Sequence, residues 1–219
     1  MYEAKEQAYF AHCRMDMLDA IPRNIHNRIL EIGAGSGETL LMAKAMGLAQ
    51  EVVGVELVPI ENSGQSDQGM DKFIIGDIEK LELPLEQNYF DVILCGDVLE
   101  HLVDPWGTVG KLNGYLKPGG YFVASIPNFR EIKMLLSIIM GGDFNYNDAG
   151  ILDRTHLRFF CRKNMVGLLE QNGLNIISIK SNLDLLGKGK RALLNRLTLR
   201  IFAEFLEGEY LLVARKQHE

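Results

Sequence analysis

Five carboxylates and two histidines stand where short apolar or glycine-rich stretches of this chain end. Glu31 opens the run Glu31-Ile32-Gly33-Ala34-Gly35-Ser36-Gly37, Glu56 and Leu57 follow Val52 to Val55, and Asp77 lies in Gly76-Asp77-Ile78. Asp97, Glu100 and His101 belong to Gly96-Asp97-Val98-Leu99-Glu100-His101-Leu102, and His156 to Leu152-Asp153-Arg154-Thr155-His156-Leu157-Arg158-Phe159-Phe160. Carboxylates at such ends can accept hydrogen bonds from ligand hydroxyl and amino groups. Imidazoles titrate near neutral pH, so they can take a proton or ligate a metal ion.

The glycine run places close backbone approach between a first strand and a first helix, a common place for a nucleotide cofactor. Its spacing argues which cofactor. A dinucleotide site has Gly-x-Gly-x-x-Gly, but the sixth position counted from Gly33 is Glu38. A P-loop needs Gly-Lys-Ser/Thr, which is absent. The Glu38 carboxylate at a helix N-terminus would also repel a pyrophosphate. Gly33-x-Gly35-x-Gly37 preceded by Glu31 suits a phosphate-free cofactor with a cationic amino group, a description that S-adenosylmethionine meets. Taken alone, the glycines also fit a tight strand-to-helix turn. Glu56, about 20 residues after the loop, can accept both ribose hydroxyl protons. Asp77 can accept from an adenine amino group while Ile78 packs on the ring. Each acid by itself is more often a solvated strand end.

The elements that position these residues alternate strand and helix, which implies a mostly parallel sheet covered on both faces. Strands are expected at 28–32, 51–55, 72–75, 89–95, 121–126, 174–180 and 209–214. Helices are expected at 37–46, 104–116 with Pro105 at its first position, and 162–172. Residues 1–20 read as a helix with Tyr9, Phe10, Cys13 and Met17 on one stripe, and 59–70 as a loop or short helix. Lys117-Pro118-Gly119-Gly120 reads as a sharp turn, 127–160 as a lid-like insertion with an apolar middle, and 188–206 as a basic amphipathic helix. No linker or repeat divides the chain, so 1–219 is expected to be one domain.

The bulk numbers agree with an ordinary globular α/β chain: 219 residues, 47% hydrophobic, 24% charged, net charge -6. The negative balance argues against general nucleic-acid binding. Cys13, Cys95 and Cys161 form no Cys-x-x-Cys pair and read as reduced thiols, hence a cytoplasmic protein. The charged start, Met1-Tyr2-Glu3-Ala4-Lys5-Glu6, does not look like a signal peptide. No apolar run approaches the roughly 18 residues that span a bilayer.

Five ordered segments resemble those of the class I S-adenosylmethionine-dependent methyltransferases: Ile29 to Gly37, Gly54-Val55-Glu56, Gly76-Asp77-Ile78, Phe90-Asp91-Val92-Ile93 and Leu116 to Gly120. The resemblance implies a Rossmann-like, doubly wound, seven-stranded sheet with a reversed last strand, and methyl transfer by direct displacement. It assigns cofactor contacts to Glu31, Gly33, Ala34, Gly35, Gly37, Glu56, Leu57, Asp77, Ile78 and Gly96. Arg14 and Tyr9 would cover the methionine end, with Arg14 on its carboxylate; Arg14 as a surface charge and Tyr9 as a packing residue is an equal reading.

On the acceptor side three readings stand. The acids and histidines make only local hydrogen bonds; or His156 or His101 is a general base; or Glu100, His101 and His156 hold a divalent metal with Asp97 assisting. A helix over 97–101 would put Asp97, Glu100 and His101 on one face. The metal set is similar to the Glu-x-x-Glu-His motif of small-RNA 2′-O-methyltransferases and ubiquinone-pathway O-methyltransferases, with Asp97 in place of the first Glu. Ser125-Ile126-Pro127-Asn128-Phe129 and 153–160 resemble methyltransferases of bacterial surface polysaccharide synthesis, which would turn Asn128, His156 and Arg158 toward the acceptor. The expected activity is O-methylation of a small molecule or glycan. The rivals are a module that binds the cofactor or its product without turnover and an NAD-dependent dehydrogenase. The apolar insertion and Arg191, Arg196 and Arg200 admit a lid, a homodimer contact or peripheral membrane contact.

Overall fold

A computed structural model describes residues 12–181 and 202–217. Its framework is seven strands: β1 (Arg28–Ile32), β2 (Glu51–Glu56), β3 (Lys72–Ile75), β4 (Phe90–Gly96), β5 (Leu116–Pro127), β6 (Leu174–Ser181) and β7 (Glu209–Lys216). They lie in the order β3-β2-β1-β4-β5-β7-β6. Strands β1 to β5 pair in parallel, while β7 runs antiparallel to both β5 and β6. The expected α/β sheet with a reversed last strand is therefore what the chain forms.

Alternation of side chains along each strand explains why both faces are covered. In β1, Ile29 joins a core with Val52, Val92, Leu94, Leu40 and Met17, while Leu30 and Ile32 join a second core with Val53, Phe90, Ile93 and Phe122. Glu31 takes the intervening position, so a carboxylate is aimed at the first of these apolar layers.

The helices follow their sequence signals closely. α1 (Met15–Leu18) precedes β1, and α2 (Glu38–Ala45) follows the glycine run with Gly37 as a left-handed N-cap. α3 (Pro105–Tyr115) starts at Pro105 and is capped by Asp104, whose carboxylate accepts from the Gly107 N–H. α4 (Ile132–Gly141) lies in the connection after β5; α5 (Arg162–Glu170) precedes β6, and the single turn α6 (Ala203–Leu206) precedes β7.

Several expectations need correcting. Within the described part of 1–20 only Met15–Leu18 is helical, since 12–14 run irregularly and Asp19-Ala20 turn. Tyr9 and most of 188–206, including Arg191, Arg196 and Arg200, lie outside the described residues. Lys117 to Gly120 bulges within β5: Leu116 pairs with Phe90 and Tyr121 with Val92, so four residues oppose Asp91 alone. Gly119, at φ +76°, supplies the left-handed corner of that bulge. The apolar middle of the insertion is α4, which buries only Met134 and leaves Ile139 74% and Met140 80% exposed. No helix among the described residues is long and apolar enough to cross a membrane.

Candidate functional site

The carboxyl ends of β1, β2, β3 and β4 meet at one edge of the sheet, the edge at which open parallel sheets take their ligands. One pocket opens there. It is lined by Ile32, Gly33, Glu56, Leu57, Asp77, Ile78, Asp97 and Val98, and its far wall is His101 and Thr155. Five of the residues that the sequence assigns to the cofactor, Gly33, Glu56, Leu57, Asp77 and Ile78, thus share a cavity with one of its two candidate catalytic histidines, while Glu31, Ala34, Gly35, Gly37, Gly96 and Arg14 lie outside its lining.

The glycine run reaches the pocket through Gly33. Gly33, Gly35 and Gly37 all have positive φ, at 69°, 52° and 84°. A side chain at Gly33 would be strained and would also collide with Val98 Cγ2. The N–H groups of Gly33 and Ala34 donate to Val55 O at 2.9 and 3.1 Å, which ties the loop to the end of β2.

Glu56 is 2% exposed and its carboxylate is oriented by that loop. It accepts from the Gly35 N–H at 2.9 Å and from the Leu57 N–H at 2.7 Å. Asp77 accepts from the Glu79 N–H at 2.9 Å and pairs with Lys80 Nζ at 2.7 Å. Hydrogen bonding to Lys80 holds the Asp77 carboxyl below its ordinary range, against a smaller opposing effect of burial. Ile78 is buried and Leu57 half exposed, so the pocket has both an apolar and an acidic wall.

Glu31 is fully enclosed beneath the loop. Burial pushes its carboxyl up to about 8; a hydrogen bond to Thr39 and the Arg14 charge oppose this, and the Glu56 charge adds to it. Its Oε2 finds no hydrogen-bond donor among the described residues. A buried carboxylate oxygen without a donor is costly, and a cationic group relieves it. That oxygen and the acidic wall fit a cofactor bearing an ammonium and ribose hydroxyls.

Arg14 enters the site from the N-terminal segment, and its guanidinium faces protein carboxylates. Nε and Nη2 bond Asp16 at 2.9 and 2.8 Å, Nη1 bonds Asp97 at 2.5 Å, and Nη2 bonds Glu209 at 3.1 Å. Burial works against its charge, but hydrogen bonding to Asp16 and the charges of Asp97 and Glu209 outweigh that and raise its pKa. Sequence reasoning found Arg14 and Asp97 separately and missed Asp16, Ser125 and Glu209. Nothing in linear spacing joins residues from three strand ends.

The second cluster sits across the pocket. Segment 97–101 is not a regular helix. Asp97 is left-handed, at φ +52°, and only Leu99–His101 forms a 3-10 turn. The Asp97 carboxylate therefore turns to Arg14 and to the Ser125 hydroxyl, 3.0 Å away, and does not assist a metal set. Glu100, His101 and His156 do come together, with potential ligand atoms all within 4.8 Å of one another. The Leu157 and Arg158 N–H groups donate to Glu100 O at 2.8 and 2.9 Å, which docks the His156 loop onto this turn.

Both imidazoles are held by carbonyls. His101 Nδ1 lies 3.1 Å from Thr155 O, and His156 Nδ1 lies 3.0 Å from Ile151 O. A carbonyl can only accept, so each Nδ1 carries the proton and each Nε2 is the basic nitrogen. His156 Nε2 stands 3.9 Å from Glu100 Oε1. Glu100 is 1% exposed, and neither of its carboxylate oxygens finds a donor among the described residues. Burial, followed by the Asp97 charge, drives its pKa well above the ordinary value.

Two residues expected on the acceptor side are occupied elsewhere. Asn128 is fully buried; its amide donates to the Glu204 and Glu207 carbonyls at 2.7 and 2.9 Å, fastening the approach to β7. The Arg158 guanidinium donates to Val103 O, bracing the loop before α3.

Comparison with known proteins gives the family and the fold. Residues 2–179 match a family described as methyltransferase domain. Over 172 residues the chain is 27% identical to a ubiquinone biosynthesis O-methyltransferase from Burkholderia vietnamiensis, covering 76% of this chain and 72% of that protein. The fold is shared with an S-adenosylmethionine-dependent methyltransferase from Archaeoglobus fulgidus, at a TM-score of 0.64 and 20% identity, covering 96% of this chain and 95% of the other. It is also shared with Haemonchus contortus phosphoethanolamine N-methyltransferase 2 in complex with S-adenosylmethionine, at a TM-score of 0.64 and 16% identity, covering 93% and 52%. The chain belongs to the methyltransferase domain family and is an S-adenosylmethionine-dependent methyltransferase.

Proposed function

We propose that this protein methylates an oxygen atom of a small-molecule or glycan acceptor, and that Glu100, His101 and His156 hold a divalent metal ion beside the cofactor. The observation that carries the metal reading is the pairing of two Nδ1-tethered imidazoles with a buried carboxylate whose oxygens lack donors. Outer carbonyls that fix the tautomer are how metal-ligating histidines are commonly held. Mixed carboxylate and imidazole ligands suit zinc, manganese or iron. A relative named as an O-methyltransferase supports oxygen as the acceptor atom.

The cofactor contacts follow from the pocket. Glu56 takes the ribose hydroxyls, Asp77 the adenine amino group, and Leu57 and Ile78 the faces of the ring. Glu31 Oε2 takes the ammonium. When bound, the cofactor supplies an electrophilic methyl group, and a metal ion would lower the pKa of an acceptor hydroxyl. The chain's own part is to orient the acceptor, exclude water and receive its proton. His156 carries that proton-accepting role through Nε2 if no metal is used.

Metal analysis of the purified protein, followed by turnover with a panel of phenols and methyl glycosides, tests this reading. The expected result is one manganese, zinc or iron ion per chain, with S-adenosylhomocysteine release lost in chelator and restored by metal. Turnover that ignores chelator, with no metal retained, leaves His156 as base and overturns the metal assignment.

A further inference from the structure

We propose that Arg14 is a positioning residue that clasps the N-terminal segment over the cofactor pocket and, through Asp97, sets how fast the cofactor exchanges.

Met17, Leu18 and Ile21 root the segment in the core on one face of the sheet, downstream of Arg14. α1 is a single turn, too short to be stable alone, and buries only Met17 and Leu18. Its polar anchors are the groups of Arg14. The backbone N–H donates to Thr39 Oγ1 at 3.2 Å, in the first turn of the helix behind the glycine loop. The guanidinium spans Asp97, beyond the end of β4, and Glu209, at the start of β7. Arg14 thus joins three points, Thr39 through its backbone and Asp97 and Glu209 through its side chain; Asp97 lines the pocket, and the side chain is only 15% exposed.

Two further observations tie this clasp to the pocket. Gly96 is the seat on which it rests. A Cβ there would stand 3.0 Å from Met17 Sδ and 3.2 Å from Arg14 Nη1, so a side chain at 96 presses on both and shifts them by a few tenths of an ångström. Asp97 lines the cavity in a left-handed conformation that few non-glycine residues adopt. It is fixed there by Arg14 on one oxygen and by the Ser125 hydroxyl on the other, at 3.0 Å, while its own N–H donates back to Ser125 Oγ at 3.0 Å. Releasing Arg14 frees both the segment and the pocket wall.

The arrangement also separates this role from direct binding of the cofactor's carboxylate. Four of the five guanidinium N–H groups are already engaged by three carboxylates. Arg14 therefore acts through Asp97 and Glu209, and its effect does not depend on the amino-acid end of the ligand.

The test compares Arg14→Met, Arg14→Lys and Gly96→Ala with the parent chain. Dissociation of S-adenosylhomocysteine and of 5′-methylthioadenosine, which lacks the amino-acid end, is followed by stopped flow. Hydrogen exchange of the unliganded proteins is measured alongside. Arg14→Met should speed the release of both ligands alike, by about tenfold, the scale of one charge-assisted hydrogen bond, and Gly96→Ala should speed both in the same direction by less. Arg14→Lys should fall between Arg14→Met and the parent. Residues 12–20 should lose exchange protection while β1 and β4 keep theirs. Acceleration confined to S-adenosylhomocysteine would make Arg14 a direct ligand and overturn the proposal. So would unchanged protection of 12–20, or loss of protection throughout the sheet, which marks a merely structural residue. Failure of either ligand to bind the parent chain would count against the cofactor pocket, while the exchange measurement still reads the clasp.

Discussion

His101 and His156 meet edge to face, with ring centroids 4.7 Å apart and planes inclined at 76°. They come from separate loops, and each is braced by a backbone carbonyl of the His156 loop, Thr155 O and Ile151 O. The loop that carries one histidine therefore orients both, and Glu100 returns the tie through its own carbonyl. Under the proposed metal reading, these two imidazoles and the buried carboxylate act as a unit.

That unit makes a prediction for substitution. Glu100→Gln, His101→Ala and His156→Ala should each weaken manganese binding by more than about 100-fold, beyond the range usual for outer-shell partners. Their effects on turnover should be similar, and the double variant should be little worse than either single one. Manganese titration by paramagnetic resonance reads the first point without turnover. A Glu100→Gln chain that binds manganese as tightly as the parent would remove Glu100 from the set.

Glu31 predicts a pH dependence. Its carboxyl titrates at about 8 in the fold against an ordinary 4.5, so between these values the folded chain holds a proton that the unfolded chain has lost. The stability from this group is complete below the lower value and is lost as pH rises through the upper one. Glu31→Gln should flatten that slope in thermal unfolding followed from about pH 6 to about pH 9. It should also weaken S-adenosylhomocysteine binding, because an amide accepts from an ammonium but brings no negative charge to it. In the parent chain, binding near neutral pH should release a proton, visible as a calorimetric enthalpy that changes with the buffer's ionisation heat.

Glu56→Ala should reduce S-adenosylhomocysteine affinity by about 1.5–3 kcal/mol, the worth of hydrogen bonds to a charged group. It should also free the Gly35 N–H, raising hydrogen exchange in the glycine loop. Unchanged affinity by calorimetry would place the ribose contact elsewhere.

Asn128→Ala is expected to act on stability. Its amide satisfies two carbonyls in a fully buried position, so the loss should be about 2–4 kcal/mol in denaturant unfolding. Cofactor affinity of the remaining folded protein should change by less than about twofold. A large affinity loss with unchanged stability would return Asn128 to the acceptor side.

The sheet and the cofactor edge were legible in the sequence because each rests on local signals. Apolar runs such as Val52 to Val55 and Ile93 to Cys95 end at a glycine or an acid, and Asp104-Pro105 marks a helix start. Partners of polar side chains were less legible. Asn128 follows a strand much as Asp97 does, yet one feeds neighbouring carbonyls and the other lines the pocket. Periodicity says that a residue leaves a strand, not which distant group receives it. The helical reading of 97–101 failed for a local reason: Asp97 is drawn by Arg14 and Ser125 into a conformation that a helix cannot contain. The convergence of Glu100, His101 and His156 could be suspected from residue types, but the distance needed the folded loops.

The position of β7 bears on how the molecule is made. It is the last of the described strands in chain order, yet it lies between β5 and β6. While the chain emerges from the ribosome, β6 has no neighbour to pair with until 209–216 are synthesised. The gap beside β5 stays open for as long. Glu209, one of the carboxylates that hold Arg14, arrives with the same strand. Closure thus couples the earliest described segment to the latest strand, a long-range contact of the kind that slows folding. Stalled or truncated chains should leave two strand edges unpaired, surfaces that chaperones engage and that seed aggregation.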